Sequence, residues 1–176
     1  MKNNIALIGF MGCGKSSAGK RLSLCIGWDF KETDRLIEQR TGLTIPDIFR
    51  EKGEEYFRDM EETVIKELSV SAEHSVIACG GGVVLRPSNI ERLKESSHIV
   101  YLEADTATLQ DRLAFSKHRP LLERPDRHRV IEEMNAQRRP LYESAAEITV
   151  MTGHRPFNEV IEEIIDKLDI NESQDR

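Results

Sequence analysis

Eight residues near the start of the chain, Gly9-Phe10-Met11-Gly12-Cys13-Gly14-Lys15-Ser16, set three glycines, a lysine and a hydroxyl directly behind the apolar run "NIALIGF". They satisfy G-x-x-x-x-G-K-[ST] between an expected strand and an expected helix. Such a loop turns successive backbone N–H groups inward around phosphates, with the helix N-terminus behind them. Gly12, Cys13, Gly14, Lys15, Ser16 and Ser17 are therefore expected to bind the phosphates of a nucleotide. Lys15 would reach the β- and γ-phosphates, and the Ser16 hydroxyl would ligate Mg²⁺. Cys13 sits where a helix N-terminus can lower a thiol pKa, although a small tolerated loop residue is the plainer reading.

A nucleotide loop does not name a reaction, so the carboxylates come next. The second glycine-bearing run, "SVIACGGG", carries no Asp or Glu at its end. Glu32 and Asp34 follow the second expected strand instead, and i, i+2 spacing places both on one side of an extended segment. One could support Mg²⁺ while the other accepts a proton from an attacking hydroxyl. Taken alone, Asp34 is more commonly a helix cap, and the phosphate loop shifts the reading to function. Arg58 and Glu61 lie three apart on one expected helix face, where Glu61 could hold the guanidinium, or where the two could form an exposed ion pair. Gly80-Gly81-Gly82 is either a turn or a place where a small polar ligand approaches the backbone. Arg119 could swing over a γ-phosphate, and Arg138 could meet a carboxylate bidentately.

These residues need a frame, and the hydrophobic pattern supplies one. "NIALIGF", "WDFKET", "SVIACGGGVV", "HIVYLEA" and "EITVMT" read as strands. Between them, helices are expected over the segment after the loop through Leu22 and Leu24, "DRLIEQRTG" with Gly42 as its stop, "IPDIFREKG", "EEYFRDMEETVIKEL", "PSNIERLKE" and "DTATLQDRLA", the last capped by Asp105 or Thr106. Phe57, Val64, Ile65 and Leu68 suit one buried helix face. "FSKHRPLLERPDRHR" has no clean period and reads as a loop or flap. "VIEEMNAQRRPLYESA" returns to helix, with Pro140 expected to kink or break it, and "PFNEVIEEIIDKL" closes the pattern. Near-continuous apolar strands separated by helices argue for an α/β fold whose parallel sheet is covered on both faces.

The 176 residues most simply form one domain, 39% hydrophobic and 32% charged. No run approaches the roughly 18 apolar residues of a membrane span, and no signal-peptide pattern appears, so a cytoplasmic protein without a membrane partner is expected. A net charge of −6 argues against an extended nucleic-acid surface. Arg112, Lys117, Arg119, Arg124, Arg127, Arg129, Arg138 and Arg139 nevertheless crowd one late segment, as a solvated helix face or around an anionic ligand. Three cysteines and five histidines show no metal-ligand spacing.

The pieces "GFMGCGKS", "FKETD", "IPDIF…GEEYFRDME", "CGGGVV", "RPLL" and "RRPLY", in this order and spacing, resemble the shikimate kinase family from end to end. The resemblance implies a P-loop, nucleoside-monophosphate-kinase-like fold, three layers deep, with a five-stranded parallel sheet in the order 2-3-1-4-5. It implies ATP- and Mg²⁺-dependent phosphorylation of the 3-hydroxyl of shikimate, in the route to chorismate and aromatic amino acids. By position, Asp34, Arg58, Gly80, Gly81, Gly82 and Arg138 would hold shikimate, Asp34 also acting as base. Lys15 and Arg119 would serve the phosphoryl group, and Arg112 and Arg155 would flank adenine. The resemblance further implies a single domain over 1–170, with a substrate-binding subdomain at 34–60, a lid at 113–125 and a frayed tail at 171–176. One departure stands out: Glu32 replaces the first of the family's two aspartates, the one that supports Mg²⁺, often through water. Gluconate or a nucleoside monophosphate as acceptor, and a non-catalytic nucleotide-binding regulator, are the competing readings. A monomer is expected.

Overall fold

The computed structural model describes residues 2–114 and 126–170. Five parallel strands form one sheet: β1 (Asn4–Ile8), β2 (Asp29–Glu32), β3 (Ser75–Ala78), β4 (Ser97–Glu103) and β5 (Ile148–Met151). Their spatial order is β2-β3-β1-β4-β5, as expected. β1 lies centrally, pairing Leu7 with Ala78 of β3 and with Val100 of β4. Ile5, Ala6, Leu7 and Ile8 are wholly buried, because a central strand covered on both faces has no solvent side for a polar alternation.

The helices are α1 (Lys15–Ile26), α2 (Thr33–Thr41), α3 (Ile45–Glu51), α4 (Gly53–Ser71), α5 (Pro87–Ser96), α6 (Thr106–Leu113), α7 (Arg127–Ala145) and α8 (Phe157–Leu168). α1 buries Ala18, Leu22 and Ile26 and leaves Leu24 exposed. α2 ends at Gly42 in a left-handed conformation (φ 68°), which gives that glycine its expected role as a stop. Thr44 caps α3 by accepting from Asp47 N–H, and Asp105 caps α6 by accepting from Thr108 N–H. α4 buries Phe57, Val64, Ile65 and Leu68, as its spacing requires, but also Arg58 and Glu61.

The expected break at Pro140 does not occur, since α7 continues through it to Ala145. Proline removes one bond to the carbonyl of Ala136, and both residues are exposed, so water can satisfy that carbonyl. Burial of Ile131, Arg138, Tyr142 and Ala145 holds the helix on either side. The flap, including Arg119, and the tail at 171–176 lie outside the described residues; of the lid range 113–125 only 113 and 114 fall inside them. No described helix is long and apolar enough to cross a membrane.

Candidate active site

A cavity of about 290 Å³ opens beyond the carboxyl ends of the strands, lined by the phosphate loop, Glu32, Asp34 and the start of the triple glycine. In open α/β sheets this is where ligands bind, because loops diverge there from a rigid base. β1 ends one residue before Gly9, β2 delivers Glu32, and β3 delivers Cys79 and Gly80.

The phosphate loop has the backbone that its glycines permit. Gly9, Gly12 and Gly14 take φ values of 143°, 81° and 102°, a region costly for any residue with a Cβ. Lys15 is buried, with Nζ donating to the carbonyls of Gly9 (2.8 Å) and Phe10 (3.0 Å). Its ammonium is therefore held at the loop itself. Ser16 and Ser17 line the cavity. Cys13 is fully buried, its Sγ 3.8 Å from Lys15 Nζ, so the thiol is packed rather than presented to solvent.

The Ser16 hydroxyl donates to Glu32 Oε1, joining two oxygen-bearing side chains from separate elements on the cavity wall. Hard oxygen donors of this kind suit Mg²⁺, which takes few protein ligands and keeps several waters. The longer Glu32 side chain thus reaches the hydroxyl that an aspartate at this position would approach from one methylene farther back. Among the described residues no cluster of three His, Cys, Asp or Glu forms a self-sufficient metal site.

A second cluster is built around Gly80–Gly82. A Cβ on Gly80 would lie 2.6 Å from Glu61 Oε1 and 2.8 Å from Asp34 Oδ1; one on Gly82 would lie 2.2 Å from Arg58 Nη1. These glycines are required because charged side chains of α2 and α4 pack directly against the loop. Arg58, only 6% exposed, is gripped by Glu61 Oε2 at 2.8 Å and Glu54 Oε1 at 3.0 Å. Glu61 is wholly buried, and its Oε1 has no hydrogen-bond partner among the described residues. Burial pushes the Glu61 carboxyl above the ordinary glutamate range; Arg58 pulls it back, and the Asp34 charge adds to the push. Of the two readings of Arg58 and Glu61, the exposed ion pair is excluded.

Arg138 is 7% exposed, donates to Gly81 O at 3.3 Å and lies 5.9 Å over the Phe10 ring. Its neighbour Arg139 points elsewhere, bound to Glu103 (2.7 Å) and Glu143 (2.8 Å) on an exposed face. Arg112 bridges the loop carbonyl of Cys13 (3.1 Å) to Thr152 O (3.1 Å) and lines the cavity with Phe157. Arg155 instead pairs with Glu163 at 2.6 Å and is not part of the cavity lining. Sequence reasoning missed Thr33 and Tyr142. Thr33 lies inside "FKETD" and Tyr142 inside "RRPLY", the signal that could have found them; both hydroxyls bond the triple-glycine loop.

The family model described as shikimate kinase matches residues 11–169. The chain belongs to the shikimate kinase family. A shikimate kinase of Dehalococcoides mccartyi is 45% identical over 168 residues, covering 96% of this chain and 94% of that one. A solved structure titled shikimate kinase from Acinetobacter baumannii in complex with shikimate superposes with a TM-score of 0.91 at 34% identity, covering 96% of this chain and 93% of that one. A gluconokinase from Sinorhizobium meliloti, at 17% identity and a TM-score of 0.57 over 96% of this chain and 94% of that one, shares the fold alone. Family membership makes the phosphate loop that of an ATP-using kinase.

Proposed function

We propose that this shikimate kinase family member transfers the γ-phosphoryl group of ATP to the 3-hydroxyl of shikimate, with Asp34, Arg58, Gly80–Gly82 and Arg138 forming the acceptor site. The observation that carries the reading is the convergence of Asp34, the buried Arg58 with its partner Glu61, and the buried Arg138 on a single glycine loop beside the phosphate loop. That set suits a small polyol bearing one carboxylate. Arg58 and Arg138 would take the carboxylate, since charge-assisted bonds from guanidinium fix both position and orientation. Asp34 would receive hydrogen bonds from ring hydroxyls.

In the reaction the 3-hydroxyl oxygen forms a bond to the γ-phosphorus as the bond to the β–γ bridging oxygen breaks. Asp34 takes the hydroxyl proton, and ADP leaves. Lys15 would exchange the Gly9 and Phe10 carbonyls for β- and γ-phosphate oxygens, a short movement from a position already at the loop. Mg²⁺, held by Ser16 and by Glu32 directly or through water, would neutralise charge on the phosphates. Arg112 would lie against the nucleotide, with Arg155 beside adenine and Arg119 over the transferring group. Catalysis is then mostly positioning and charge stabilisation. The protein is proposed to act as a cytoplasmic monomer, without nucleic-acid or membrane partners; the apolar stripe of α8, Val160, Ile161, Ile164 and Ile165, is spent inside its own fold.

ADP release measured with MgATP and shikimate, quinate, gluconate, AMP or CMP tests the reading. Turnover is expected with shikimate alone. Turnover with another acceptor in its place would overturn the pocket assignment.

A further inference from the structure

The three acceptor-binding side chains come from three different helices, so something must hold those helices in common register at the site. α2 carries Asp34, α4 carries Arg58 and α7 carries Arg138. Each meets one residue of the same loop: Asp34 stands against Gly80, Arg138 bonds Gly81, and Arg58 stands against Gly82. Glycines carry no side chain with which to anchor themselves. The backbone of this loop therefore has to be fixed by its hydrogen bonds.

Two of those bonds stay within the chain's next turn. Gly80 O accepts from Val83 N–H at 3.1 Å, and Gly82 O accepts from Leu85 N–H at 3.0 Å. The others come from side chains. β2 and β3 pair up to Glu32 and Ala78, after which Thr33 enters α2 and its backbone can no longer continue the ladder. The Thr33 side chain takes over: fully buried, its Oγ1 accepts from Gly80 N–H at 2.9 Å and donates to Ala78 O at 3.4 Å. On the other side, the Tyr142 hydroxyl donates to Gly81 O from a fully buried ring stacked 5.1 Å from Tyr101. Arg138 shares that carbonyl, but at 3.3 Å, and in the proposed function it is the group that would turn to the acceptor carboxylate.

We propose that Thr33 and Tyr142 are positioning residues that pin the Gly80–Gly82 loop from opposite sides, and so set where Asp34, Arg58 and Arg138 meet the acceptor. Neither acts on the reacting atoms. Thr33 ties the loop to the helix bearing Asp34, and Tyr142 ties it to the helix bearing Arg138. Tyr142 keeps the Gly81 carbonyl satisfied when Arg138 leaves it.

The proposal rests on shikimate being the acceptor, and steady-state kinetics of Thr33→Val, Thr33→Ser and Tyr142→Phe test it. Loss of either hydroxyl should raise the shikimate KM about tenfold, while the MgATP KM stays within about twofold of the parent. Thr33→Ser, which keeps the hydroxyl, should restore the parent value. Thr33→Val should also speed amide exchange at Gly80, whose N–H loses its partner. A shikimate KM unchanged in both Thr33→Val and Tyr142→Phe, or an equal rise for both substrates, would overturn the proposal. If the parent turned over no shikimate, the functional reading would fail by itself. Gly80 exchange would then decide the pinning, and an unchanged rate in Thr33→Val would sink it. Should Thr33→Val not fold, Tyr142→Phe carries the kinetic comparison.

Discussion

At the scale of single residues, two of the carboxylates, Glu32 and Glu61, answer to different neighbours, and each yields a test. Glu32 receives the Ser16 hydroxyl, and in the proposed site its charge would bear on the metal rather than on the acceptor. Glu32→Gln should raise the Mg²⁺ concentration giving half-maximal rate by about tenfold, with shikimate KM little changed, because a neutral amide binds a hard cation poorly. A Mg²⁺ titration superimposable on the parent's would remove Glu32 from the metal site. Glu61 answers to burial, which raises its titration above the ordinary glutamate range, and to Arg58, which pulls against that rise. As pH falls through that raised value the carboxyl takes a proton, its grip on Arg58 weakens and shikimate KM should climb. In Glu61→Gln the KM should be high throughout and lack that acid rise; a variant keeping the same acid rise would show that another group titrates. The burial of Glu61 was not legible in its spacing. An Arg and a Glu three apart on a helix are commonly solvated, and here the glycine loop packs directly against both.

Elements place these residues, and their junctions are held in ordinary ways. α4 carries Arg58 on its inner face, and its outer face joins α5 through Glu62, which accepts from Arg86 (3.0 Å), Ser88 (2.9 Å) and Arg92 (3.0 Å). Hydrogen bonds from Arg92 and Ser88, then Arg86, hold the Glu62 carboxyl below its usual range. A depressed carboxylate stabilises the fold above its unfolded-state pKa of about 4.3, and that contribution is lost as pH falls through the folded value. Thermal unfolding of Glu62→Gln should accordingly lie below the parent at pH 7 and converge with it at acid pH. A constant gap from pH 7 to the acid limit would mean that packing, not charge, joins these helices. The existence of α4 and α7 was readable from helical spacing. Continuity of α7 through Pro140 was not, because a proline's cost depends on whether the orphaned carbonyl faces solvent or core.

For the molecule as a whole, the phosphate loop joins β1 to α1 and is tied by Arg112 and Thr152 to the far side of the sheet. A nucleotide seated there should stabilise the entire fold. ADP at about 100 times its Kd adds about 2.7 kcal/mol, or roughly 5–10 °C in Tm for a domain of this size. Lys15→Ala should largely abolish the shift, and a full shift in that variant would place the nucleotide elsewhere. By itself the sequence determined the strands and helices, whose periods report burial directly, and the phosphate loop, whose contacts are local in the chain. Its resemblance to a family carried the strand order as well. Only the tertiary structure decided that Gly80 faces Asp34 and Glu61, that Gly82 lies under Arg58, and that Arg138 bonds Gly81 O while Arg139 turns to Glu103 and Glu143. It also brought Thr33 and Tyr142 to one loop from positions more than a hundred residues apart. Such contacts depend on which helix packs over which strand end, and no local spacing encodes that.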